Sequence, residues 1–205
     1  MSSDTESKAG SKAAKQRLRA ELLGVRRALT PDDMQVAAAA LGKQALALPV
    51  LAAEGAVVAA YVSVGREPGT RVLLDALRAR GVRVLLPVLL PDNDLDWAEY
   101  EGPGRLAPAA RGLLEPEGDR LGPEAVTRAD AVLLPGLAVD ARGMRLGRGG
   151  GSYDRVLARL ERAGAHPELI VLLYENEVVA QVPAEPHDHP VHAVVTPSGV
   201  RTFTA

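Results

Sequence analysis

The chain has 205 residues, 47% of them hydrophobic, no cysteine, and a formal charge of −2 at pH 7. That length buries a substantial core and favours one domain; the near-neutral balance leaves no global basic field to draw it to nucleic acid or anionic lipid, so any anion site is local. The lack of cysteine excludes disulfides, thiolate metal sites and a cysteine nucleophile. With no signal-peptide core and no run near the roughly 18 apolar residues of a membrane span, a cytoplasmic protein without a membrane partner is expected.

Residues 1–11 are small and polar and are expected as a disordered leader, ahead of a single α/β domain over 12–205. From Ser11 the pattern is helical, with Leu18, Leu22, Val25 and Leu29 on one side and Lys15, Arg17, Arg19, Arg26 and Arg27 interleaved. A second helix starts at Thr30-Pro31-Asp32-Asp33, a capping threonine, a proline suited to the first turn and two acids at the positive dipole end, and runs to about Leu48. Ala56 to Val62 is a continuous apolar run, expected as a strand buried on both faces. A polar loop, 63–69, leads to a helix capped by Thr70 and ended at Gly81, then to a strand over Val82–Leu86.

Between Pro87 and Pro123 the period is lost; short strands are expected near Leu95–Tyr100, and the rest forms a wall or lid over a site. A short helix near Pro123–Arg128, a strand Ala131–Leu134, a glycine-rich stretch, a helix from Tyr153 to Ala163 closed by Gly164, a strand Leu169–Tyr174 and a last strand Val191–Thr196 follow. This order predicts a three-layer α/β/α sandwich with a mainly parallel, doubly wound sheet. Ligands in such sheets bind beyond the carboxyl ends of the strands, so the loops after Val62, Leu86, Leu134 and Tyr174 are expected around one crevice.

One of those loops is "GMRLGRGGGSYDR", residues 143–155. Its glycines let backbone N–H groups approach an anion at a helix start, and Arg145 and Arg148 can neutralise that anion, so the ligand it suits is a polyphosphate. It ends in no Gly-Lys-Ser/Thr and lacks the third glycine of a dinucleotide fingerprint, which excludes both motifs. A flexible connection with solvated arginines has the same composition. Asp154 is either a helix-start acid or a carboxylate holding Mg²⁺ beside the phosphates.

"LLPGLAVDARGMRLGRGGGSYDRVL", residues 133–157, resembles the signature of the 5-formyltetrahydrofolate cyclo-ligase (5,10-methenyltetrahydrofolate synthetase) family. "KQRLR" at 15–19, "YVSVGREPGT" at 61–70, "LLEP" at 113–116 and "VPAEPHDHPVHAVVTP" at 182–197 are similar to further segments of it. The resemblance implies ATP- and Mg²⁺-dependent cyclisation of 5-formyltetrahydrofolate (folinate) to 5,10-methenyltetrahydrofolate, with release of ADP and phosphate. It assigns ATP binding to Lys15, Arg19 and the run Leu146, Gly147, Arg148, Gly149, Gly150, Gly151, Ser152, Tyr153 and Asp154, with Arg148 catalytic. Mg²⁺ falls to Asp154 and Asp188, and the folate to Val62, Glu67, Tyr153 and Glu115, with Trp97 a weaker candidate. Small-molecule substrates are what it implies as partners; the charge balance predicts no nucleic-acid partner, a monomer is expected, and Arg105 or Arg111 could form a basic rim for a folate tail.

Four positions depart from the family pattern. Ser152 stands where a tyrosine is usual, Val139 for phenylalanine, Glu177 for glutamine and His192 for aspartate. His187, His189 and His192 lack an evident fourth ligand for zinc. Two other readings remain open on residues alone: a noncatalytic nucleotide- or folate-binding module, and a phosphosugar isomerase-like enzyme of similar architecture.

Overall fold

The computed structural model describes residues 2–185 and 188–203, with side chains from Gly10 onward. Helix α1 spans Ser2–Ala28, so positions 2–11 are helical where a disordered leader is expected. Their serines, Asp4 and Gly10 favour caps over helix; the helix reaches them because the strong formers of 12–23 nucleate it and no proline stops its growth. Helix α2, Pro31–Ala45, carries the expected start: Asp33 N donates to Thr30 Oγ1 at 3.2 Å and Thr30 N to Asp33 Oδ2 at 2.9 Å. It ends before the expected Leu48, and Pro49 opens a short helix α3, Pro49–Ala52, instead of closing α2.

Strand β1, Val57–Ala59, is followed by helix α4, Arg71–Ala79, strand β2, Arg83–Leu89, and the antiparallel β3, Leu95–Glu99. Thr70 precedes α4 without capping it. Its Oγ1 donates to Tyr61 O at 2.8 Å and accepts from Ser63 N at 2.9 Å, cinching the loop between β1 and α4. Inside 87–123 lies a two-stranded ribbon, β4, Leu106–Pro108, with β5, Leu114–Pro116; 123–128 is a 3₁₀ turn. Strand β6, Ala131–Leu134, leads to a hairpin of β7, Ala138–Val139, and β8, Arg145–Leu146, then to helix α5, Ser152–Ala163, closed by Gly164 in the left-handed region as expected. Strands β9, Glu168–Leu172, β10, Ala193–Thr196, and β11, Gly199–Thr202, complete the chain.

The main sheet runs β11-β10-β9-β6-β1-β2-β3, parallel from β10 to β2 with an antiparallel strand at each edge. Strand side chains alternate between faces. Val58, Val84, Leu133, Ile170 and Val195 pack with Leu41, Leu73 and Leu77 of α2 and α4. Ala59, Leu85, Val132, Val171 and Val194 pack with Val156, Leu157 and Leu160 of α5 on the other side. This is the three-layer α/β/α sandwich. Helix α1 belongs to neither layer: Leu22 and Leu18 pack on Leu137, Ala138 and Leu146 of the β7–β8 hairpin, which carries α1 over the carboxyl end of the sheet.

Strand order reverses at β1, with β2 on one side and β6 on the other. The loops leaving β1 and β6 therefore diverge to opposite faces and leave a crevice between them.

Candidate active site

That crevice is a cleft of about 690 Å³. Three chain segments far apart in sequence build it. From α1 come Lys15 and Arg19; from the loop after β1, Val62 and Glu67; and from the β8–α5 junction, Leu146 and every residue from Gly147 to Asp154. Glu115 on β5 and Asp188 also line it, so the expected ATP and Mg²⁺ residues and all the expected folate residues but one meet in one cavity. Trp97 does not. It is fully buried in the core under α5, and its Nε1 has no hydrogen-bond partner among the described residues. The turn after β9 also stays outside the cleft lining, and Tyr174 supports the β1 loop from behind, its hydroxyl 3.3 Å from Glu67 O and 3.4 Å from Arg66 O.

The glycine loop is shaped by backbone needs. Gly149 (φ +91°) and Gly151 (φ +78°) lie in the left-handed region, and a Cβ on Gly149 would sit 3.4 Å from the Arg19 guanidinium carbon. Gly151 precedes α5 and supplies no side-chain cap, leaving the first-turn N–H groups of α5 without a side-chain acceptor. Arg19 ties α1 to this loop through Nε, which donates to Gly147 O at 2.8 Å; its other four N–H donors are not spent on that contact. Lys15, one turn earlier, donates to Asp188 Oδ2 at 2.7 Å and lies 3.4 Å from Glu185 Oε1. Glu185 N also donates to Asp188 Oδ2, which fixes that carboxylate at the cleft wall.

Arg145 lies deeper than the sequence suggests. Its side chain is buried, with Nη1 donating to Pro135 O at 2.8 Å and Nη2 3.8 Å from Asp154 Oδ1. Burial pulls its pKa below the ordinary arginine value, opposed by the negative fields of Asp154 and, further off, Asp188. One guanidinium thus feels both carboxylates expected to hold Mg²⁺. Asp154 itself is largely exposed to the cleft.

Beside Arg145, the Tyr153 ring packs on the core while its buried hydroxyl has no partner among the described residues; burial and nearby Glu67 raise its pKa. An orphaned hydroxyl on a cleft wall is a group a ligand can satisfy. Tyr61 lines the same wall, and burial raises its pKa well above the usual tyrosine value. Glu67 accepts from Val64 N at 2.8 Å through Oε2 and from Arg148 Nη1 at 2.8 Å through Oε1. Glu115 is also partly committed, since its Oε1 accepts from Leu89 N at 2.9 Å.

Leu89, Leu113 and Leu114 give the cleft an apolar side, so the β4–β5 ribbon is a wall, as expected for part of 87–123. Arg111 stands on that wall, whereas Arg105 turns to Glu101 and Glu117. Lys12 is a lining residue the motifs missed; it shares a helical face with Lys15 and Arg19, at spacings of three and seven, which is the signal that points to it.

Two departures from the family pattern have structural answers. Glu177 is 1% exposed, accepts from Tyr174 N, and is paired bidentately by Arg26. His192 Nδ1 accepts from Leu169 N at 2.8 Å, the acceptor role an aspartate would fill. Of the other two histidines in the 187–192 segment, His189 lies 3.7 Å from Glu161 and His187 falls outside the described residues. Among the described residues no group of three or more His, Asp or Glu side chains converges as a metal site.

A family model described as the 5-formyltetrahydrofolate cyclo-ligase family matches residues 11–197. A 5-formyltetrahydrofolate cyclo-ligase of Mycolicibacterium smegmatis is 41% identical over 90% of this chain and 94% of its own, and one of Escherichia coli K12 is 35% identical over 85% and 96%. A solved structure of Aquifex aeolicus 5,10-methenyltetrahydrofolate synthetase superposes with a TM-score of 0.77 at 28% identity, covering 93% of each chain.

Proposed function

The chain belongs to the 5-formyltetrahydrofolate cyclo-ligase family, and from that membership we propose that it converts 5-formyltetrahydrofolate and ATP to 5,10-methenyltetrahydrofolate, ADP and phosphate. In this reading the formyl oxygen takes the γ-phosphoryl group as the bond to the β,γ-bridging oxygen breaks and ADP departs. N10 then bonds to the formyl carbon, the carbon–oxygen bond breaks with loss of phosphate, and the N10 proton passes to solvent. A formamide oxygen is a poor leaving group until phosphorylated, which is why ATP is consumed. Such a transfer needs positioning and charge neutralisation more than a protein nucleophile.

Lys15, Arg19 and the run from Leu146 to Asp154 hold the triphosphate in this proposal, its oxygens meeting first-turn N–H groups of α5. Arg148 neutralises the transferring phosphoryl. The buried Arg145 holds the loop through Pro135 O and offers its charge from beneath. Glu67 accepts hydrogen bonds from the pterin ring, Val62 and Glu115 line the folate side, and the Tyr153 hydroxyl closes the junction between the two ligands. Asp154 and Asp188 are the groups that would hold Mg²⁺; two carboxylates suit an ion that keeps waters and phosphates as its other ligands. When bound, Mg²⁺ would neutralise phosphate charge. We further propose a cytoplasmic monomer without a nucleic-acid partner; no described helix is long and apolar enough to cross a membrane, and the formal charge of −2 gives no global basic field.

The observation that carries the reading is the convergence of the α1 cations, the glycine loop and the Glu67 loop on one cleft. The test is to mix the protein with 5-formyltetrahydrofolate, ATP and Mg²⁺ and follow methenyltetrahydrofolate absorbance. Signal that needs all three is expected. Bound folate with no signal at high enzyme would overturn the catalytic assignment in favour of a binding module.

A further inference from the structure

Glu67 and Arg148 come from opposite halves of the cleft, 81 positions apart, and meet at 2.8 Å. The Glu67 side chain is 9% exposed and its Oε2 is committed to Val64 N, so the part of the carboxylate that faces the cleft is the part Arg148 engages. Arg148 is 50% exposed and is flanked by Gly147 and Gly149, so no packed neighbour on either side in sequence fixes its direction. Only the arginine of this pair is in water, so Arg148 can leave for another anion, whereas the buried carboxylate needs replacement donors when it does. Hydrogen bonds from a pterin ring and from Arg148 draw on the same few lone pairs of one carboxylate.

Resting on the reading under Proposed function, we infer that Glu67 sets the specificity for the phosphoryl acceptor. While Glu67 holds Arg148, the guanidinium is turned away from the transferring phosphoryl. When pterin N–H donors take the carboxylate, Arg148 is released to the phosphates. Water is the competing acceptor: its oxygen bonds to the γ-phosphorus, the bond to the β,γ-bridging oxygen breaks, and the proton goes to solvent, giving ADP and phosphate with no ring closed. That side reaction proceeds without its arginine unless folate is bound. The same exchange makes the two ligands bind cooperatively, and by linkage each tightens the other by one common factor.

The test compares wild type, Glu67→Gln and Arg148→Ala. Phosphate release from ATP and Mg²⁺ without folate reports the water reaction. Binding of a nonhydrolysable ATP analogue, with and without 5-formyltetrahydrofolate, reports the coupling. Glutamine keeps an acceptor for Val64 N but loses the charge that holds Arg148, so folate-independent hydrolysis should rise roughly 5- to 10-fold, a factor at the low end of ordinary site coupling. In wild type, folate should tighten the analogue by a similar factor, and Arg148→Ala should abolish that gain. Hydrolysis in Glu67→Gln at or below the wild-type level, with its thermal midpoint preserved, would overturn the inference; so would coupling that survives in Arg148→Ala. A wild-type chain that fails to cyclise folate overturns the functional reading itself, whereas normal cyclisation with unchanged side reaction and coupling removes only the acceptor role of Glu67.

Discussion

Two arginine–glutamate pairs show how burial separates a fixed ion pair from one that can change partners. Arg26 and Glu177 are 3% and 1% exposed and meet in a fork, Nε to Oε1 at 2.6 Å and Nη2 to Oε2 at 2.9 Å, with Nη2 also donating to Gly136 O at 2.8 Å. The Arg26 guanidinium lies 5.6 Å from the Tyr174 ring centroid. Burial pushes the Glu177 pKa up, and the Arg26 charge and hydrogen bonds oppose that rise. This pair joins α1 to the exit of β6 and to the turn after β9, and so holds the helix that presents Lys15 and Arg19. Arg148 and Glu67 have the same chemistry at the mouth of the cleft, where Arg148 is half in water. The first pair cannot move without leaving a bare charge inside; in the second the half-exposed Arg148 can leave once other donors reach the Glu67 carboxylate.

The strongest way to break this contrast is Arg26→Ala. Leaving Glu177 buried and unpaired should cost about 3–5 kcal/mol in denaturant unfolding, and Arg26→Met with Glu177→Gln should recover most of it. A loss under about 1 kcal/mol would mean that burial does not separate the two pairs. Arg148→Ala should do the opposite, lowering kcat about 10²- to 10³-fold while the unfolding free energy stays within about 0.5 kcal/mol.

A smaller effect is set by pH. Burial alone would raise the Asp140 pKa, but hydrogen bonds from Arg142 and from Val182, Arg142 and Met144 N–H groups outweigh it and lower the pKa. A depressed carboxylate contributes stability that is present above its unfolded value, about 3.9, and lost as pH falls through the folded value. Acid unfolding followed by circular dichroism should therefore be shallower below about pH 4 in Asp140→Asn, from a lower starting stability. Least affected should be Arg83→Ala, whose pair with Glu99 is about half exposed on both sides; calorimetry should show a change under about 1 kcal/mol.

Local pattern was enough for the architecture and for most of the site. The apolar runs at 56–62, 131–134 and 169–174 read as strands because covering both faces of a sheet leaves no polar side to alternate, although the first is a strand only over Val57–Ala59. The Thr30 capping box and the Gly164 stop were legible because caps are made by neighbours in sequence. The glycine loop at the start of α5 was legible as a place of bare backbone because Gly149 and Gly151 take positive φ. Thr70 was misread for a related reason: its hydroxyl had a local role available as a cap and took a longer-range one to Tyr61 O. Trp97 was a weaker folate candidate within an expected strand and proved to be core, because burial is set by what packs over a strand.

Packing alone decided which charges meet. Lys15 finds Asp188 across 173 positions, Arg26 finds Glu177 across 151, and Glu67 finds Arg148 across 81. No period or spacing encodes such pairs, since they depend on α1 lying across the carboxyl end of the sheet and on the reversal of strand order at β1. The depth of Arg145 has the same origin: the motif supplies a guanidinium, but the hairpin and the carbonyl of Pro135 determine that it works from beneath the loop. Helices, strands and a glycine loop follow from the chemistry of near neighbours, whereas the choice of partner for each charge follows from where the folded layers bring distant side chains together.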